Sequence, residues 1–365
     1  MKPRWRWRWV AWAAGGLALL LTGWVLFSQI QTAAVAGAKI EGRPLRAWLV
    51  DLNSGVPQVR ESAREALNRI PPQPRAESLI RLVERSGVGL DAAYERHRTR
   101  LPRRLNSWLI RNFRSHEWVM ARRTAAAELR RCTDELAPER VGRLLYDSDR
   151  VVAAHAGLAL GAMGPRAVPV LREALGGDNL QVRELACNSL AALGKDAVAA
   201  MPELLAVLEE NDPVLNRLAI MALSRMAPHP VPALGQWLAE GNVWRRRQAL
   251  EVLDQMQPLP LEAAPWVRRA AQDEDPEARR MATRLLGRVR PFGAEDERLL
   301  RGALNDEDPG LRISAAIGIG FTGNRAVGLI PDLKQRLHDD HPQVRTNAQR
   351  SLTRLAGAGV AASPR

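Results

Sequence analysis

The chain has 365 residues, 46% hydrophobic and 25% charged, with two cysteines; these values exclude wholesale disorder, a polytopic membrane protein, a disulfide scaffold and a four-cysteine zinc site. Only seventeen residues are aromatic, eleven of them Trp, while the helix formers Ala, Leu and Arg dominate, so the fold class is all-α. Net charge is +13, but residues 1–8 and 94–131 carry 12 of it, which leaves the remainder nearly neutral and speaks against nucleic acid as a partner.

In chain order, residues 1–9 (MKPRWRWRW) form a basic, Trp-rich segment, and 10–30 run without a charge. A helix of that length spans about 30 Å, the thickness of the bilayer hydrocarbon. Trp5, Trp7, Trp9 and Trp12 sit where an interfacial aromatic belt would lie. Residues 10–30 are expected to be one transmembrane helix, a signal anchor, since the run exceeds the apolar core of ordinary signal peptides. Ala34-Val35-Ala36 and Ala36-Gly37-Ala38 resemble cleavage sites, so a secreted soluble binding protein is the alternative. The basic residues before the span place the N-terminus in the cytoplasm and the body outside, in the periplasm if the cell is bacterial. Residues 31–43 read as a linker.

From 44 to 357 the sequence repeats. EDPEARRMATRLLGRV (274–289), EDPGLRISAAIGIGFT (307–322) and DHPQVRTNAQRSLTRL (340–355) share one pattern. Its anchors are Arg60, Arg122, Ala153, Arg183, Asn216, Arg246, Arg279, Arg312 and Arg345, spaced 30–33 apart after a first gap of 62. Three residues after every anchor stands Ala; seven after stands Leu or Ile; ten after comes another apolar or small residue. Offsets of three, seven and ten share one helix face. Before each such helix lies a shorter amphipathic stretch, such as 167–175, 199–210 and 328–338, with Pro169, Pro202 or Pro331 near its start. Asp212-Pro213, Asp275-Pro276 and Asp308-Pro309 then cap the second helix. Each unit is a helical hairpin that buries its apolar face only by stacking on neighbours.

The pattern D-x-x-P-x-V-R-x-x-A-x-x-x-L, followed by a Pro-containing helix, resembles the short bacterial HEAT-like repeats of the bilin-lyase type. The resemblance implies a right-handed α-solenoid of stacked hairpins, preceded here by the transmembrane helix. It also implies a ladder between turn acids and helix arginines, which makes Asp308, Arg312, Asp340 and Arg345 structural. The doubled first gap predicts one degenerate repeat at 71–105, within an irregular, Arg-rich stretch at 71–118. Residues 358–365 read as a flexible tail.

Catalytic motifs are missing: no Walker loop, Gly-rich dinucleotide turn, G-x-S-x-G or H-E-x-x-H occurs. His338-Asp339-Asp340-His341 falls on an inter-helix turn where the repeat already calls for acids. His116-Glu117 is the single His-Glu pair, whereas the di-iron HEAT-like hydroxylase needs several. Cys132 and Cys187 lie two repeats apart, nearly 20 Å by helix packing distances, too far for a disulfide. The expectation is therefore a non-catalytic scaffold without metal or cofactor. A HEAT-like enzyme, bilin-lyase-like or nucleic-acid-processing, is the rival reading.

Two surfaces are candidates for binding. Positions one, five and eight or nine after the anchor point away from the core. They give Arg280, Arg284 and Arg288, then Ile313, Ile317 and Phe321, then Arg350 and Arg354: an apolar stripe between arginines, expected to meet a protein partner. Within 94–131, Arg103, Arg104, Arg111, Arg114, Arg123, Arg130 and Arg131 accompany Trp108, Phe113 and Trp118, a patch suited to an anionic ligand such as lipid headgroups.

Overall fold

The computed structural model describes residues 39–86, 115–210 and 212–357. The basic segment 1–9, the expected membrane span 10–30, the linker up to residue 38, residues 87–114 and the tail 358–365 lie outside the described residues. The described residues fall into two compact units divided after Met163. Each unit is a row of α-hairpins, three in the first and six in the second.

The first unit opens with a small antiparallel pair, β1 (Lys39–Ile40) and β2 (Arg43–Pro44), where a plain linker was expected. Glu41 (φ 51°) and Gly42 (φ 77°) make its tight turn. Trp48 Nε1 donates to the Ile40 carbonyl at 3.2 Å and fastens the pair to α1 (Leu45–Asp51). Then follow α2 (Pro57–Asn68), α3 (Pro72–Ser86), α4 (Ser115–Glu128), α5 (Pro138–Arg143) and α6 (Arg150–Ala162).

Of the expected degenerate repeat at 71–105, residues 71–86 are described and 87–105 lie outside the described residues. Helix α3 is a regular 15-residue helix that packs on α4, so the two are halves of one hairpin with residues 87–114 between them in sequence. The first hairpin meets α4 through α1: Asn53 Nδ2 donates to Thr124 Oγ1 at 2.6 Å, and Arg46 lies 4.9 Å above the Trp118 ring.

The second unit contains α7 (Val168–Leu175), α8 (Leu180–Leu193), α9 (Met201–Glu209), α10 (Pro213–Arg225), α11 (Val231–Glu240) and α12 (Val243–Gln255). It continues with α13 (Ala264–Ala270), α14 (Pro276–Leu286), α15 (Ala294–Leu304), α16 (Pro309–Thr322), α17 (Ile330–Gln335) and α18 (Pro342–Gly357). The even-numbered helices stack on one another and form the continuous core.

The columns of the sequence explain the packing. All nine alanines three residues after the anchors, Ala63 through Ala348, are fully buried. A methyl group there lets adjacent helix backbones approach, and Leu129, Leu160, Leu190, Leu223 and Leu286, also fully buried, fill the space beside them. Each buried Leu contributes about 1.5–3 kcal/mol. A close approach joins the end of α14 to α16, where a Cβ on Gly287 would overlap the Gly318 carbonyl.

The second helices begin as the turn residues dictate. Asp212, Asp275 and Asp308 accept from backbone N–H groups of the first turn, with Pro at the next position; Asp149, Asn179 and Asn242 cap without Pro. Within the 30-residue stretch Pro309–His338, an 18-residue window has mean hydropathy 1.3, long and apolar enough by composition alone to cross a membrane. Here the stretch is two helices joined by a turn, and α16 owes its apolar sequence to lying between α14 and α18.

Candidate partner-binding surface

Most of the arginines are used inside the repeat stack. Those at the anchor position reach back to carbonyls of their own inter-helix turn: Arg312 Nη1 donates to the Asp306 and Glu307 carbonyls at 3.0 Å, and Arg345 Nη1 to those of Asp339 and Asp340. The same guanidiniums reach forward to acids of the next repeat. Arg312 meets Asp339 at 2.8 Å and Asp340 at 2.7 Å; Arg246 meets Asp273 at 2.8 Å; Arg183 meets Glu210 at 2.6 Å. In the first unit Arg122 pairs with Asp147. The structural role expected for Asp308, Arg312, Asp340 and Arg345 follows from this geometry.

A second set of rungs starts one residue later. Arg123 binds Asp149 at 2.8 Å, Arg247 binds Asp275 at 2.6 Å, and Arg280 grips both oxygens of Asp308 at 2.7 and 3.0 Å. Each acid is also the N-cap of the next repeat's second helix, so one carboxylate serves cap and rung together. Gly310 leaves the room this requires, since a Cβ there would meet the Arg280 guanidinium. A third set joins the first helices: Arg140 to Glu77 and Glu84, Arg172 to Glu203, Arg268 to Asp296, Arg301 to Asp332.

These contacts shift the acids. The Arg247 guanidinium, against some burial and with help from the Ala278 N–H, holds the Asp275 carboxyl down at about 2. Asp308 is lowered by Arg280 in the same way. Burial pushes Asp339 up, but Arg312 and the His341 N–H together hold it well below the usual carboxylate range. Both thiols are free and buried; burial pushes Cys187 up to about 12 and raises Cys132.

The structure brings the expected stripe together on the outward side of α14, α16 and α18. Ile313 and Ile317 are part-buried, and Phe321 is 43% exposed. The flanking arginines divide into two kinds. On α14 they belong to the stack: Arg280 holds Asp308, and Arg284 meets Asp254 at 2.8 Å. Arg288 donates to the Asp254 carbonyl at 2.7 Å and to that of Met256, closing the C-terminal end of α12. On α18, Arg350 and Arg354 are exposed and have no carboxylate partner among the described residues. Arg354 lies 4.8 Å above the Phe321 ring.

The anionic-ligand patch is only partly visible. Arg103, Arg104, Arg111 and Arg114 lie outside the described residues. Arg123 is spent on Asp149, Arg131 lies 3.5 Å from Glu128, and Arg130 is exposed. Among the described residues, no group of three or more His, Cys, Asp or Glu could hold a metal ion; His338 and His341 flank the turn whose Asp339 is taken by Arg312.

One feature was not read from the sequence: Leu180, Val214, Val243 and Trp244, all 40% exposed or more, recur in the first turns of three successive second helices, α8, α10 and α12. Their signal is an apolar residue two or three places before the anchor, beside the capping residue. The second rung series had a signal too, an acid 28 residues after Arg247 and Arg280.

Residues 137–224 match the family model of HEAT repeats. The karyopherin Kap121p, solved bound to the extreme C-terminus of the protein phosphatase Cdc14p, is similar to this chain in fold, with TM-score 0.53 and 13% identity over 86% of the chain. Kap121p bound to Nup53p gives TM-score 0.51 and 14% identity over 86% of the chain. The chain spans 38% and 37% of Kap121p in those two structures. An archaeal HEAT-like repeats protein from Thermococcus onnurineus NA1 matches with TM-score 0.40 and 14% identity, covering 61% of this chain and 98% of that one. No curated protein matches the chain.

Proposed function

We propose that this chain, HEAT repeats by sequence over residues 137–224 and by fold in the hairpins described, is a membrane-anchored scaffold that binds a protein partner and carries out no chemistry of its own. The observation that carries the reading is the Ile313–Ile317–Phe321 stripe, two part-buried isoleucines in line with an exposed phenylalanine on one helix whose neighbours are already packed. An exposed apolar strip with a polar rim is what an interface leaves uncovered when its partner is away. Kap121p, of the same fold, has been solved with Nup53p and with a terminus of Cdc14p, so such a stack is able to hold protein segments. The non-catalytic reading draws support from the titratable groups, since the acids with the lowest pKa values are ladder partners of arginine.

Anchoring is proposed from sequence: the uncharged run 10–30 behind Lys2, Arg4, Arg6 and Arg8. It places the repeats on the exoplasmic side. A detergent pull-down of the full chain with mass spectrometry, run beside an Ile317→Asp variant whose helicity is intact by circular dichroism, tests the scaffold. A protein recovered with wild type and lost with the folded variant supports it. Recovery of nothing by folded wild type overturns it.

A further inference from the structure

The stripe on α16 has a chemistry that narrows what sits on it. Ile313, Ile317 and Phe321 stand four residues apart, so the apolar floor is one side chain wide and about 12 Å long. Ile313 and Ile317 are part-buried between α14 and α18, and the flanking side chains are arginines, longer than isoleucine. The floor is therefore recessed between raised rims. On the α14 side Arg280 and Arg284 keep their charge close to balanced through Asp308 and Asp254. On the α18 side Arg350 and Arg354 have no carboxylate partner among the described residues, and Arg354 covers one face of Phe321. The surface is thus apolar along its axis and positive along one edge.

We infer that this surface is the docking groove for an amphipathic helix of a protein partner, its apolar anchors lying on Ile313, Ile317 and Phe321 and its acidic residues facing Arg350 and Arg354. This rests on the scaffold reading above and specifies its partner's chemistry. A helix presents anchors at i, i+4 and i+7 over about 10–12 Å, which matches the stripe, and carboxylates on its flank complete the two free guanidiniums. A flat anionic bilayer fits less well. It needs apolar side chains that protrude, and here only Phe321 does.

Two measurements on the full chain test this, the first after detergent solubilisation and the second in cells. The first is fluorescence anisotropy with a labelled amphipathic helical peptide of about 18 residues, Leu on one face and Glu on its flanks, against the same peptide with Lys for Glu. The Glu peptide is expected to bind at least about tenfold more tightly, with affinity falling as salt rises. Arg350→Glu with Arg354→Glu, both exposed, is expected to weaken it by about tenfold or more, and Val214→Asp, at the start of the distant helix α10 of the same unit, to leave it unchanged. Equal binding of both peptides, or no effect of the double reversal, overturns the proposal.

The second measurement places a photo-crosslinking side chain at position 317 or at 214 in cells and maps the captured segment. An acidic amphipathic segment captured from 317 supports the proposal. Lipid, a basic segment or a second copy of this chain captured from 317 overturns it. Capture of protein from 214 alone leaves the scaffold standing and removes this groove; no protein from either removes both.

Discussion

At the scale of single residues, the structure turns on where arginine spends its donors. Asp308 shows the economy best: it accepts from Gly310 and Leu311 N–H groups at 2.9 and 3.2 Å and receives Arg280 as well. Asp308→Ala removes cap and rung together and is expected to cost about 1–2 kcal/mol, whereas Asp308→Asn keeps the cap and should cost well under half of that. Urea unfolding of the two variants separates the roles. The depressed acids give a pH dependence of definite sign. Asp275, Asp308 and Asp339 have folded-state pKa values below their unfolded values. Their ion pairs therefore stabilise fully above the unfolded value, near 4, and this contribution is lost as pH falls toward 2. The urea midpoint should fall steeply between pH 4 and pH 2, and Asp275→Asn should flatten that fall, because it already lacks the charge. A midpoint that falls equally in both proteins would show that the ladder contributes little.

At the scale of helices, the governing quantity is how closely backbones approach. A Cβ on Gly318 would stand 2.8 Å from the Thr283 carbonyl oxygen, tighter than real contacts. Alanine is the better helix former by about 1 kcal/mol, so propensity alone makes Gly318→Ala stabilising. Packing predicts the reverse, a loss of about 1–3 kcal/mol as α14 and α16 are forced apart. Chemical denaturation decides between them by sign. The same close packing explains what the sequence disclosed. The alanine column was legible because one side-chain size is tolerated at a fixed place in every hairpin, and burial of all nine follows from that. The α3–α4 pairing was not legible, since helix α3 has its own amphipathic pattern but lies far from its mate in sequence. The stripe on α16 was legible by periodicity. Periodicity gives direction along a helix but not what a long side chain reaches, so Arg284 and Arg288 looked free when both are spent on Asp254.

At the scale of the whole molecule, the two units can be followed separately because each holds one buried thiol, Cys132 in the first and Cys187 in the second. Both are raised by burial, so neither should react with a thiol reagent until its surroundings open. Cys132→Ser and Cys187→Ser leave single reporters, and their labelling midpoints in urea are expected to differ if the units unfold independently. Coincident midpoints would show one cooperative transition. The proposed anchor belongs to this scale too: the full chain should remain with membranes after alkaline carbonate extraction, and a chain lacking residues 1–36 should be released. Release of the full chain would remove the anchor from the account.

The rungs also amount to a splice code. Asp275-Pro276 and Asp308-Pro309 are equivalent joints 33 residues apart, and every rung of the second unit runs from one repeat to the next and no farther. Excising 276–308 would deliver Pro309 to Asp275, which already receives Arg247. It would also offer Arg268 the Asp332 that Arg301 now holds. A chain shorter by one period should therefore reseal its own seam and melt cooperatively, while an excision half a period long should not. Such a molecule changes length by copying or dropping whole units, and its carboxylates act as the tally marks that keep the count.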